Sequence, residues 1–147
     1  MFYISGHGFG HASREVEVIN AVGALRPGTR VVIRSAVSAD LLRRTVRVPY
    51  ELRPGPCDTG VVQTSSVAQD DAATAREAIA FYHQLDERAG AEAAALSDLD
   101  DSLALIIGDI PPLAFEVAAR RGIPSIAIGN FTWDWIYETA PGFGDAR

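Results

Sequence analysis

The chain has 147 residues, 48% of them apolar and 22% charged, an ordinary balance for one globular domain. A formal net charge of −6 argues against a phosphate-backbone partner, so no nucleic acid is expected. All 13 cationic side chains are arginine, which excludes Schiff-base chemistry and a P-loop lysine clamp, and the single cysteine, Cys57, excludes an internal disulfide and a zinc cluster.

No apolar run approaches the ~18 to 20 residues needed to cross a bilayer, and Met1 leads into Phe2-Tyr3-Ile4 without a basic segment. The expectation is a cytoplasmic protein with no transmembrane segment, no metal and no cofactor. Phe2 to Ile4 suits a buried parallel strand. The loop after it runs from Ser5 to His11. Val16, Ile19 and Val22 then lie at helical spacing, with Val18 and Leu25 widening the stripe and Arg14, Glu15 and Glu17 as polar positions. Pro27-Gly28 ends that helix, and Val31-Val32-Ile33 forms a second strand, completing a right-handed βαβ unit.

Ser38 to Leu42 reads as a capped short helix and Tyr50 to Leu52 as a weak third strand. From about Asp70 to Leu96, Ala75, Ala78, Tyr82, Leu85, Ala89, Ala93 and Leu96 recur at three- and four-residue steps, giving one long helix or two with a break near Gly90. Leu103 to Ile107 is a fourth strand ending in Gly108-Asp109. Pro111 to Arg121 is a helix closed by Gly122, and Ser125 to Ile128 a fifth strand. The fold class is therefore α/β, a Rossmann-like doubly wound parallel sheet of order 3-2-1-4-5 over residues 1–140, with 141–147 a linker or tail. Ligands of such sheets bind beyond the strand C-termini, where the order reverses between strands 1 and 4.

The chemistry-bearing residues fall on those strand ends. In the first loop Gly6, Gly8 and Gly10 alternate, which lets backbone N–H groups approach a phosphate at the helix N-terminus. The dinucleotide fingerprint is not matched: His11 replaces its third glycine, and Arg34-Ser35 stand where an acid should close strand 2, leaving NADP as an alternative. His11 is the candidate general base, because imidazole titrates near neutrality and can take a proton from a sugar hydroxyl; its other reading is a cap or loop bond. His7 is a second base candidate or a ligand contact. Arg14 either faces an acid or phosphate, or is a solvated surface residue.

Asp58 and Gln63, after strand 3, can bind hydroxyls, although Asp58-Thr59-Gly60 is also ordinary turn chemistry. Asp109 either reaches the crevice or caps the next helix. After strand 5, Asn130 and Asp134 can bind hydroxyls and Trp133 can stack on a sugar or base, or the aromatics pack a terminal helix onto the sheet.

Four segments in order, SGHGFGHASR, DTGVVQ, DIPPLAFEVAARRGIP and NFTWDWIYE, resemble the N-terminal domain of GT-B glycosyltransferases. The likeness extends from Phe2 to Glu138 and is greatest to the glycosyltransferase-like module at the N-terminus of plant arabinose kinases and its free-standing bacterial relatives. It implies an acceptor-side half, with His11 as base and the loop glycines near a phosphate of donor or acceptor. The implied partners are a nucleotide-sugar donor, a sugar or glycoside acceptor, and a C-terminal GT-B domain that these residues do not include. The chain alone is then expected not to turn over. Two rivals remain: a non-catalytic sugar- or nucleotide-binding module attached to a sugar kinase, and a GT-B-fold nucleotide-sugar epimerase.

Overall fold

Short β-branched runs alternating with helical stretches produce a wound sheet. The computed structural model describes residues 1–99 and 102–138. Its first half comprises β1 (Phe2–Ile4), α1 (Gly8–Leu25), β2 (Val31–Ser35), α2 (Ala39–Thr45) and β3 (Tyr50–Pro54). A small hairpin follows, β4 (Gln63–Ser65) and β5 (Ala68–Gln69), then α3 (Asp71–His83) and α4 (Leu85–Ala95). The second half adds β6 (Ile106–Asp109), α5 (Pro112–Arg121), β7 (Ser125–Ala127) and α6 (Trp133–Tyr137). Residues 141–147, read from the sequence as a linker or tail, lie outside the described residues.

The main sheet has the order β3-β2-β1-β6-β7, with every pairing parallel. This is the expected 3-2-1-4-5 arrangement; β4 and β5 pair only with each other, antiparallel. In register, Ile4 lies between Ser35 of β2 and Asp109 of β6. The order therefore reverses on either side of β1, and the tips of β1 and β6 form the crevice of the sheet.

Strand alternation assigns the two faces. Phe2, Ile4, Val31, Ile33 and Ile107 pack with Val16 and Ile19 of α1 and Leu42 of α2. Tyr3, Val32 and Ile106 point the other way, onto Phe81, Ala89, Leu113 and Val117 of α3, α4 and α5. Each large side chain buried in these layers contributes about 1.5–3 kcal/mol by leaving water. The same alternation turns Asp109, two residues after Ile107, toward α1. One polar residue also ties α1 to the end of α2: buried Asn20 donates to Thr45 O and accepts from Arg47 N–H.

Several elements differ from the sequence reading. The first loop is shorter, since α1 begins at Gly8, whose φ of 76° makes the turn that the chain needs before winding up. The alanine-rich stretch breaks at Gln84 rather than Gly90, because the Gln84 N–H turns back to Phe81 O and ends α3 there. Gly90 sits inside α4, where a side chain would approach Arg120 of α5. Phe81 takes the buried place expected for Tyr82, which is 41% exposed, and Leu25 is exposed at the end of α1.

Candidate functional site

The crevice holds a cluster built from three strand ends. Asp109, at the tip of β6, is fully buried and holds its backbone in place by accepting the Ser5 N–H through its carbonyl at 3.0 Å. Its carboxylate does not cap α5. It faces the first turns of α1, where Arg14 clamps it through Nε at 3.0 Å and through Nη2 at 2.7 and 2.8 Å. His11 Nδ1 lies 2.8 Å from the same carboxylate. Arg14 and His11 are three residues apart on one helix face, so one acid receives both.

A carboxylate only accepts, so the proton of the His11 bond sits on Nδ1. Nε2 is then the lone-pair nitrogen, and it has no hydrogen-bond partner among the described residues. Such a pair fixes tautomer and ring orientation and leaves one nitrogen able to take a proton. The hydrogen bond from Arg14 to Asp109 raises the guanidinium further above its ordinary value, which keeps the clamp charged.

A second histidine stands nearby on different terms. Asp58 is buried and accepts the Trp133 indole N–H at 2.9 Å through Oδ2, while Oδ1 lies 3.9 Å from His7 Nε2. The His7 ring lies over Gly60, whose φ is +61°; a Cβ there would overlap the ring. Tyr137 donates to Gly60 O at 2.9 Å, so α6 is fastened to this loop at two points. Trp133 separates the pairs, with its centroid 5.7 Å from His7 and 6.0 Å from His11.

The aromatics divide between two roles. Trp133 is buried with Ala78 and Tyr137 and packs α6 onto the domain. Phe131 and Trp135 stack with centroids 6.1 Å apart and remain 39% and 60% exposed. Phe131 also meets His11 edge-on at 6.4 Å, which puts an open aromatic platform beside the imidazole. Asn130 and Asp134, on the same segment, are exposed.

The glycines lie on the other flank of α1. Gly6 and Gly8 line a cavity of about 270 Å³ with Phe9, Ala12, Ala36 and Ser38, between the tips of β1 and β2. Gly10 is inside α1 and exposed, with open space where a side chain would be. Gln63 is exposed in the β4–β5 hairpin and is not gathered with the histidines. A larger cavity, about 570 Å³, lies at the opposite end of the sheet, lined by Arg26, Arg30, Arg47 and Tyr50. It contains none of the candidate site residues. Ligands of wound sheets favour the strand C-termini, where the smaller cavity and the histidine cluster lie.

Two residues of the strand 2 end are already engaged. Arg34 donates through Nε to Glu92 at 2.8 Å beneath Gly55, and Ser35 Oγ donates to Ile4 O at 2.8 Å. Neither reaches out toward a 2′-phosphate, which removes the support for NADP. Cys57 is buried with its thiol 3.2 Å from Ile4 O, and burial pushes it well above its ordinary value, so it is no nucleophile.

Glu15 was the residue the sequence concealed. Read there as a polar position of the helix, it is fully buried beside Asp109, and burial together with that negative charge raises its carboxyl to about 7. A signal existed: Ala12, Glu15, Val16 and Ile19 share the buried stripe of α1. Among the described residues no group of three or more histidine, cysteine or carboxylate side chains is arranged to hold a metal, and no helix is long and apolar enough to cross a membrane.

Fold and cluster together define a class: a Rossmann-like α/β domain with a histidine–carboxylate pair at the reversal of its sheet. At the level of sequence, the chain is 29% identical over 138 residues to L-arabinokinase of Arabidopsis thaliana. The alignment covers 92% of this chain and 13% of that protein. No family model matches the sequence, and no solved structure matches it.

Proposed function

We propose that this chain is the acceptor-binding half of a nucleotide-sugar-dependent inverting glycosyltransferase, with His11 as general base. The observation that carries this reading is the 2.8 Å contact from His11 Nδ1 to buried Asp109, which leaves Nε2 for substrate. Nε2 accepts the proton of an acceptor hydroxyl as that oxygen bonds to the anomeric carbon of the donor. The bond from that carbon to the nucleoside diphosphate breaks on the opposite face, the leaving group keeps the electron pair, and the centre inverts. Asp109 is a positioning residue that stabilises the imidazolium, and Arg14 holds Asp109.

The exposed Phe131–Trp135 pair suits the apolar face of a sugar ring, with Asn130 and Asp134 in reach of its hydroxyls. The α1 N-terminus with Gly6 and Gly8 beside a cavity suits a phosphate. A second domain of the full-length protein would hold most of the donor. Sugar chemistry is also supported by the similarity to a protein named for arabinose. The test is sugar transfer by the full-length protein from a panel of nucleotide sugars. His11→Ala should lower the rate at least ~100-fold, the range for loss of a positioned base; undiminished transfer removes His11 from that role.

A second reading is favoured by the name of the same relative, a kinase of which this chain spans 13%. In it the chain is a non-catalytic sugar- or nucleotide-binding module attached to a sugar kinase. Titrating the chain with free sugars and nucleotide sugars separates the two: saturable binding, with no transfer even by the full-length protein, favours the module.

A further inference from the structure

Glu15 is completely buried, and neither carboxyl oxygen has a hydrogen-bond partner among the described residues. An ionised carboxylate so placed costs several kcal/mol unless an opposite charge answers it. The charged and titratable groups acting on it are Asp109 from β6, and Arg14 and His11 from its own helix. Arg14 and Asp109 are bonded through Nε and Nη2, so together they contribute no net charge. What remains is His11 and Glu15, one helical turn apart on the same face of α1.

Counting charge gives the consequence. With the imidazole neutral, an ionised Glu15 leaves the cluster at −1, and a protonated Glu15 leaves it at zero. Once the imidazole is charged, an ionised Glu15 brings the cluster back to zero. We propose that Glu15 is a positioning residue of this site that shares a single proton with His11, holding it while the imidazole is neutral and yielding it when the imidazole is charged. Burial and the Asp109 charge raise the Glu15 carboxyl to about 7, where both forms are populated near neutral pH.

The contribution to transfer rests on the reading of His11 as base: in molecules whose Glu15 is already ionised, the imidazolium formed as Nε2 takes the hydroxyl proton meets a carboxylate beside it, which strengthens the base at that step. The sharing itself does not depend on any activity. It is read by carbon NMR of this chain with labelled glutamate carboxyls, the Glu15 resonance being assigned from Glu15→Gln. Glu15 should titrate near pH 7 and move upward by ~0.5 to 1 pH unit in His11→Gln, which lacks the cation that favours its ionisation. Titration below about pH 5 with the exposed carboxylates, or an unchanged midpoint in His11→Gln, overturns the proposal.

If His11→Gln does not fold, thermal stability against pH decides. A carboxyl whose folded value is raised favours the native state while protonated, so that stability is lost as pH climbs from about 4.5 to about 7. Glu15→Gln should lack that loss; parallel curves for the two proteins overturn the sharing. Undiminished transfer by His11→Ala would remove the base while leaving the titration result intact, so the two proposals fail separately.

Discussion

On one side of Trp133, His11 Nδ1 stands 2.8 Å from an aspartate that is fully buried and doubly held by Arg14. On the other, His7 Nε2 stands 3.9 Å from Asp58 Oδ1, while Asp58 Oδ2 is given to the indole. The residue types are the same and the consequences are not. Asp109 spends its charge on orienting an imidazole, whereas Asp58 spends its strongest bond on seating a helix. The comparison separates the first base candidate of the sequence, His11, from the second, His7, and it supports the proposed proton-transfer role of His11.

The largest effect that would break this asymmetry is on turnover. Transfer by His11→Ala should fall by ~10²- to 10⁴-fold, about 2.7–5.5 kcal/mol of barrier, while His7→Ala should stay within about tenfold of the parent. Initial rates of the two variants of the full-length protein, measured side by side, decide it. Next comes Asp109→Asn. Losing the charge strands Arg14 and admits the wrong imidazole tautomer, so transfer should drop at least ~100-fold. Stability should fall by roughly 2–3 kcal/mol, below the value for a fully enclosed pair because the Arg14 side chain is 29% open to solvent. Denaturant unfolding checks the second figure.

Smaller effects belong to the Asp58 side. Trp133→Phe keeps the ring but leaves a buried carboxylate oxygen unpaired, for a loss of about 1–3 kcal/mol by the same unfolding measurement. Gly60→Ala forces a side chain into the His7 ring at a left-handed position, and should cost about 1–2 kcal/mol while shifting the His7 ring resonances. If Gly60→Ala and Trp133→Phe spare transfer by the full-length protein, the division between the pairs is sharpened.

Much of the fold and of the site is legible in the sequence. The short apolar runs at Phe2, Val31 and Ile106, separated by glycine and proline, carry the wound topology and its reversal. His11, Arg14, Asp109 and Trp133 stand at or near strand ends in the sequence, and the fold brings all four together. Less was readable where the deciding contact is long-range. Nothing local to Asp58 announces an indole 75 residues away, and Asp58-Thr59-Gly60 reads equally well as a turn. Gln63 follows that segment closely, yet the hairpin carries it away. Glu15 escaped because a charged residue between Arg14 and Glu17 reads as solvated, although its helical phase is that of Val16 and Ile19. Gly90 misled for the converse reason: a helix-weakening residue was read as a break, yet a single glycine costs a helix only about 1 kcal/mol and α4 runs through it.

Ring-nitrogen NMR of the nitrogen-labelled chain, held at a pH where the imidazole of His11 is neutral, tests the central geometry most directly. The account predicts that the His11 proton resides on Nδ1, with Nε2 showing the shift of a bare nitrogen, and that Asp109→Asn loosens this preference. A proton found on Nε2 in the parent protein would contradict it, because the nitrogen offered to a substrate hydroxyl would then be unable to accept.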